Sequence, residues 1–258
     1  MTQPLDAATG RPQNPREAFE AVVAGNARFA GSAPHYPNQG TWRRDSLAAG
    51  QAPFASIFSC SDSRVPPELI FDCGLGDLFT VRTAGHVIGP TTLGTLEYGI
   101  AHCHTPLLVI LGHQSCGAVA AAINTHHTGA MPGGFVRELV ERVAPSVAAA
   151  MDSGAQQADA VAAEHVRITI RDLLEVSQVV ADAVAAGTLG IAGMAYSLES
   201  GRAELVAAIG DLGPLALEIT DATPWVQEQT ASVERVVAAV ETSASQDVEE
   251  AHAFSTLS

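Results

Sequence analysis

The sequence predicts an α/β fold with a mostly parallel central β-sheet flanked by helices. Short apolar runs that end at glycine or at polar loop residues predict buried strands at 54–59, 78–84, 106–112 and 189–197. Segments with helical character follow or separate them at 91–103, 115–124, 135–151 and 160–186. Because parallel strands are joined by long, usually helical crossovers, this alternation predicts a sheet covered on both faces.

The amino-terminal region is predicted as a helical arm behind a flexible segment. Residues 1–14 are rich in Pro, Gly and Gln and are expected to be flexible. Residues 15–30 predict a helix, since Pro15 suits a first helical turn. The Pro-, Gly- and Ser-rich segment 31–52 predicts an extended arm, with Trp42 as the residue that anchors it by packing.

Two long helices are predicted between the third and fourth strands. In 135–151, Phe135, Leu139 and Val143 share one helical face, and Pro145 predicts a kink. In 160–186 apolar residues recur at helical spacing, and Gly187 suits the end of the helix. The short segment 202–210 fits either an antiparallel edge strand or a helix.

Composition predicts a domain boundary at residue 213 and argues against two classes of binding partner. Residues 15–213 are predicted as one α/β domain, whereas 214–258 form an acidic extension with eight acidic residues and one arginine. Residues 226–241 predict an amphipathic helix, and the last fifteen or so residues predict disorder. The formal net charge of -15 argues against binding to nucleic acid or to acidic membranes.

The four cysteines indicate metal binding rather than a disulfide framework. No apolar run reaches the ~20 residues that span a bilayer, and the first residues lack the features of a signal peptide. We therefore expect a soluble, cytoplasmic protein with reduced thiols. All 13 basic residues are arginine, which excludes lysine Schiff-base chemistry and a P-loop lysine.

Two motifs follow two of the predicted strands. Cys60 follows the strand 54–59, with Asp62 and Arg64 in the same loop, and His113 and Cys116 follow the strand 106–112. Sites in open α/β sheets gather at the carboxyl ends of strands, and neighbouring strands lie only ~4.8 Å apart. Two thiols and one imidazole suit zinc, and three ligands leave a fourth position open.

Asp62 has two roles that the sequence leaves open. It is either a fourth zinc ligand that closes the site, or the ionised partner of Arg64 that orients a zinc-bound water. The spacing of two residues in a turn favours the pair. A further hypothesis is that Asp62 leaves Arg64 at lower pH and binds zinc, which would switch activity off.

The Cys-x-Asp-x-Arg loop and the later His-x-x-Cys motif resemble those of the β-class carbonic anhydrases, closest to their actinobacterial-type branch. The resemblance covers roughly residues 15–213 and includes GNARF (25–29), GLGDLFTVRTAGHVI (74–88) and GTLEYGI (94–100). It implies Zn²⁺ on Cys60, His113 and Cys116, with Asp62 and Arg64 as the catalytic dyad and Asp62 as a conditional fourth ligand. It also implies substrate-binding roles for Gln51, Phe79, Tyr98 and Gly117.

The resemblance implies reversible hydration of carbon dioxide to bicarbonate by a zinc-bound hydroxide. It further implies a homodimer or a dimer of dimers, in which pocket residues such as Gln51, Phe79 and Tyr98 come from the partner chain. Two alternatives stay open. One is hydrolysis of carbon disulfide or carbonyl sulfide on the same scaffold, and the other is a non-catalytic zinc-binding protein.

Overall fold

The computed structural model describes residues 10–155 and 157–216. Within these ranges, five strands form one sheet, surrounded by eight α-helices and a short 3₁₀ turn at Ala84–His86. The strands are β1 (Ala55–Cys60), β2 (Leu78–Thr83), β3 (Leu107–His113), β4 (Gly190–Tyr196) and β5 (Ala203–Ile209). The helices are α1 (Pro15–Ala30), α2 (Thr41–Ser46), α3 (Pro67–Ile70), α4 (Pro90–Ala101), α5 (Gly117–Thr128), α6 (Val136–Asp152), α7 (Ala158–Val176) and α8 (Gln178–Ala185).

The sheet has the strand order β2-β1-β3-β4-β5. The first four strands pair in parallel, whereas β5 runs antiparallel to β4 at one edge. Every residue of β1 and β3 is buried, because helices cover both faces of the sheet. The predicted fold class is confirmed, and of the two possibilities for 202–210 the structure shows the edge strand.

One expectation about α6 was wrong. Phe135 precedes the helix and is 91% exposed, so it lies outside the buried face to which Val143 belongs. The helix continues through Pro145, and the kink expected there stays a prediction. Both Pro145 and Glu141, whose carbonyl loses its helical partner, lie on the exposed side of α6, where water can satisfy that carbonyl.

The predicted helix over 160–186 is divided at Ser177. Its backbone is extended there, and its hydroxyl accepts a hydrogen bond from the N–H of Val180, the first turn of α8. The same hydroxyl donates to the Glu97 carboxylate on α4. Serine therefore acts as a helix N-cap, a local signal that the apolar periodicity concealed. Gly187 lies beyond α8 with φ of +69°, as its position predicted.

The arm that follows α1 is held by a buried carboxylate rather than by Trp42. The tryptophan belongs to α2 and is 66% exposed, so its predicted anchoring role is wrong within the described chain. Asp72 is 4% exposed and accepts hydrogen bonds from the backbone N–H groups of His35 and Tyr36. It also forms a 2.6 Å ion pair with Arg28 of α1. One carboxylate thus connects α1, the arm and the core.

Some predictions concern residues outside the described ranges. These are the flexibility of residues 1–14, of which 1–9 lie outside the described part, the amphipathic helix at 226–241 and the disorder of the final residues. The domain boundary at residue 213 also stays a prediction. None of the helices in the described part of the chain combines the length and the apolarity that crossing a bilayer requires.

Replacing Asp72 by asparagine should destabilise the protein by about 2–4 kcal/mol, since an amide cannot satisfy the same donors and leaves Arg28 unpaired. Burial opposes ionisation of Asp72, but His35, Arg28 and Tyr36 offset it and lower its pKa. Its contribution is therefore complete above pH ~4, the ordinary aspartate pKa, and is lost as pH falls through the lowered folded-state pKa.

Urea unfolding at fixed protein concentration measures this effect at pH 7 and again near pH 3. The control is Asp45→Asn, since the Asp45 side chain is highly exposed and its ion-pair partner among the described residues is its exposed neighbour Arg44. Equal midpoints for the two variants at pH 7 would contradict the anchoring role of Asp72.

Candidate active site

Three side chains that can bind a metal meet at the carboxyl edge of the sheet. Cys60, His113 and Cys116 are 5%, 2% and 3% exposed, and their ligand atoms lie within 4.8 Å of one another. Asp62 does not belong to this group. The two motifs, which are 49 residues apart in sequence, therefore form one buried cluster of two thiols and one imidazole.

The sheet explains the convergence. Cys60 is the last residue of β1 and His113 is the last residue of β3. The two strands are neighbours, with Ser59 level with Leu111, so they end within one residue of each other. Cys116 is the N-cap of α5, three residues after His113, and at a helix N-terminus the dipole favours a thiolate.

The histidine presents a free lone pair to the cluster. Its Nδ1–H donates to the carbonyl of Gln114 at 2.8 Å, which requires the proton on Nδ1. The Nε2 atom is buried and has no hydrogen-bond partner among the described residues. A buried imidazole that is oriented through one nitrogen and unsatisfied at the other fits a metal ligand.

The first thiol lies where a thiolate is favoured. The backbone N–H groups of Asp62 and Gly85 donate to the Cys60 sulfur at 3.4 and 3.3 Å. Hydrogen bonding to Cys116 first, and then to these backbone groups, lowers the pKa of Cys60 against the opposing effect of burial. A Cys₂His donor set with such support fits zinc.

Asp62 and Arg64 form a bidentate ion pair beside the cluster. The Arg64 guanidinium donates to Asp62 Oδ1 at 2.9 Å and to Oδ2 at 2.7 Å, and the Arg64 backbone N–H also donates to Oδ1 at 2.9 Å. These hydrogen bonds hold the pKa of Asp62 well below its ordinary value. Arg64 also reaches the carbonyl of Ser115 at 3.3 Å, so it connects the two motifs.

Arg82 supports the same loop, although the sequence reasoning did not single it out. From β2 its guanidinium donates to the carbonyls of Cys60 and Asp62 at 2.9 and 2.6 Å. An arginine within a predicted strand carries no sign of this role. Only the pairing of β2 with β1, which places Thr83 level with Cys60, brings it beside the loop.

Three residues with predicted substrate-binding roles lie far from this chain's own cluster. Phe79 is level with Ser56, four residues before Cys60, which corresponds to roughly 13 Å along the strands. Tyr98 stacks on Phe79 with ring centroids 6.0 Å apart and is 49% exposed. Gln51 is exposed and precedes the amino end of β1. Phe79 and the neighbouring Tyr98 thus lie towards the amino ends of the strands, away from the cluster.

Gly117, in contrast, lies directly beside the cluster. It follows Cys116 as the first residue of α5. A Cβ atom added there would meet no atom within 4 Å, so the space next to Cys116 is open. The Ser115 backbone just before has φ of +53°, which turns the chain from His113 back to Cys116.

The sequence model of the carbonic anhydrase family matches residues 55–203. The chain belongs to the carbonic anhydrase family. It is 48% identical over 200 residues to carbonic anhydrase 2 of Mycobacterium tuberculosis, covering 78% of this chain and 97% of the relative. It is 47% identical to a carbonic anhydrase of Mycolicibacterium smegmatis over the same shares. These relatives confirm the resemblance to the actinobacterial branch.

The fold agrees with solved β-carbonic anhydrases. A structure from a study of two tetrameric enzymes of Sordaria macrospora superposes with a TM-score of 0.58 at 24% identity, covering 73% of this chain and 96% of that chain. A Coccomyxa β-carbonic anhydrase in complex with acetazolamide gives 0.57 at 23% identity, covering 73% and 87%. The expected β-class fold is therefore confirmed.

Proposed function

We propose that this protein catalyses the zinc-dependent, reversible hydration of carbon dioxide to bicarbonate and a proton. The observation that carries the proposal is the buried Cys60–His113–Cys116 cluster, which adjoins an ionised Asp62–Arg64 pair. A structural zinc site does not need a carboxylate that is held ionised beside an open space. Membership in the carbonic anhydrase family supports the same activity.

Zinc bound to these three residues would lower the pKa of water to about 7 and so supply a hydroxide nucleophile near neutral pH. Asp62 contributes orientation. Its two oxygens offer about four acceptor positions, and Arg64 occupies three of them. The remaining position on Oδ2 can accept the O–H of the nucleophile, which turns the oxygen lone pair towards the carbon of the substrate.

Arg64 keeps Asp62 in the form that can only accept a hydrogen bond. A protonated Asp62 would donate to the nucleophile and compete for its lone pair, whereas the ion pair with Arg64 lowers the pKa of the carboxyl and prevents this. We assign Gly117 to the approach of the substrate, because it leaves space beside Cys116. Gln51 would donate to a bicarbonate oxygen.

The two alternative functions are less well supported. Hydrolysis of carbon disulfide or carbonyl sulfide would use the same zinc site, but the relatives at 47–48% identity are named carbonic anhydrases. A non-catalytic zinc protein predicts four tightly closed protein ligands. The cluster in the described chain contains three, and Asp62 is paired with Arg64.

We further propose a homo-oligomer built from dimers, in the cytoplasm. Phe79 and Tyr98 lie towards the amino ends of the strands, away from this chain's cluster, and Gln51 precedes the amino end of β1. A second copy that brings its own edge to the cluster would supply them in trans. The tetrameric assembly of the Sordaria macrospora enzymes supports an oligomer of this kind.

Stopped-flow measurement of carbon dioxide hydration from pH 6.5 to 9 tests the proposed activity. The wild type should be active, should lose activity when a chelator removes zinc, and should regain it with added zinc. Cys60→Ala should be inactive and metal-free, while Cys73→Ala serves as the control, since this thiol is also buried, lies outside the metal-binding group and donates to the Phe71 carbonyl. Asp62→Asn should lose about 10²-fold in kcat. An inactive, zinc-loaded wild type across this range would overturn the proposal.

A hybrid dimer tests whether Gln51 acts in the partner's site. One chain carries Cys60→Ala and the other carries Gln51→Ala, with different affinity tags so that the hybrid can be isolated. Each homodimer should be nearly inactive. The hybrid has one site with an intact zinc cluster and an intact Gln51 from the partner, and should recover about half of the wild-type activity. A hybrid no more active than the mean of its parents would show that Gln51 acts in its own chain.

A further inference from the structure

Gly85 lies outside the two motifs, yet its backbone contacts the metal cluster. Its N–H donates to the Cys60 sulfur at 3.3 Å. The residue has φ of +66°, a conformation that favours glycine, and an added Cβ would come within 2.6 Å of Ala118 Cβ on α5. The backbone conformation of Gly85 therefore sets how strongly its N–H is hydrogen-bonded to the Cys60 sulfur.

A buried histidine fixes the other side of the same residue. His165 Nε2 lies 2.8 Å from the carbonyl oxygen of Gly85, and His165 Nδ1 lies 2.8 Å from the hydroxyl of Ser146. His165 belongs to α7 and Ser146 to α6. They are 3% and 0% exposed, beside apolar residues such as Val143 and Val147.

The hydrogen-bond directions follow from the partners. A carbonyl can only accept, so His165 Nε2 carries the proton and donates to Gly85. Burial lowers the pKa of His165, which keeps the ring neutral and leaves Nδ1 as an acceptor. Ser146 must then donate its hydroxyl hydrogen to Nδ1. Each polar side-chain atom in this chain of contacts is satisfied, which is what a polar group in an apolar core requires.

We propose that His165 and Ser146 are positioning residues for the metal site. They orient the Gly85 residue from two helices, so that its N–H stays directed at the Cys60 thiolate. Ser146 donates to Nδ1 of His165 and so fixes the proton on Nε2. His165 then donates to the Gly85 carbonyl, and this bond fixes the direction in which the Gly85 N–H points at the Cys60 sulfur. This inference rests on the proposed zinc site and adds to it a support that comes from α6 and α7, outside both motifs.

The chain of contacts predicts changes in metal binding and not only in fold stability. His165→Leu removes the bond to Gly85 and should raise the zinc dissociation constant about 10–100-fold, as losses of outer-shell partners do. His165→Gln retains a side-chain N–H donor and should restore most of the affinity. Ser146→Ala removes the donor to His165 Nδ1, so the tautomer of His165 is no longer fixed, and it should raise the zinc dissociation constant by a smaller factor. Combined with His165→Leu it should add nothing, because both act through one path.

Two measurements test this on the full-length protein. Chelator competition gives the zinc dissociation constant. In the cobalt(II)-substituted protein, the sulfur-to-metal charge-transfer band should move to longer wavelength in His165→Leu, because the thiolate loses a hydrogen bond. The control is Thr169→Val, which removes a buried hydroxyl from the same helix and should leave both the affinity and the band unchanged.

The outcomes separate this inference from the proposed function. A wild type that binds no zinc would refute the zinc site itself. A wild type that binds zinc, with His165→Leu unchanged in affinity and band position relative to Thr169→Val, would overturn the positioning role alone. If His165→Leu does not fold, the decision falls to Ser146→Ala. A weakened affinity with a shifted band would support the proposal, and wild-type values would overturn it.

Discussion

The parallel pairing of β1 with β3 is the constraint on which the rest of the site depends. It brings the last residues of two neighbouring strands, Cys60 and His113, to the same edge of the sheet. A register slip of two residues would separate these ends by a further ~6.6 Å, beyond the reach of a shared metal. Both strands are buried along their whole length, which resists such a slip, since it would expose side chains that the flanking helices now cover. The strand register that buries both strands is therefore also the register that brings Cys60 and His113 together.

Near the carboxyl ends of β1 and β3, hydrogen-bond donors surround the groups that carry negative charge. The chain carries a net charge of -15, and the site brings two thiols close to the Asp62 carboxylate. Arg64 pairs with Asp62, and Arg82 donates hydrogen bonds to the carbonyls of Cys60 and Asp62 within the first motif. Backbone N–H groups serve the Cys60 sulfur directly. Local positive charge and oriented dipoles thus stabilise negative charge at the site, although the negative net charge of the protein opposes it.

The local pattern of the sequence was sufficient to predict the strands, most of the helices and the proximity of the two motifs. Apolar runs predict strands regardless of context, and parallel strand ends converge by geometry. The expectations that were wrong depended on tertiary context. The arm is held by Asp72, whose role depends on backbone groups 36 and 37 residues away, and not by Trp42. Ser177 divides a helix whose apolar periodicity looks continuous. The contacts of Arg82 and His165 join elements distant in sequence, so no local motif announces them.

The central claim is that zinc is bound by two thiolates and one imidazole with a fourth position left for a small ligand. A zinc X-ray absorption spectrum of the wild type at pH 8.5 tests it most directly. The account predicts two sulfur scatterers at about 2.3 Å and two nitrogen or oxygen scatterers at about 2.0–2.1 Å, of which one shows imidazole features. Cys116→Ser should lose one of the two sulfurs. A spectrum with four sulfurs, or with no sulfur at all, would contradict the account.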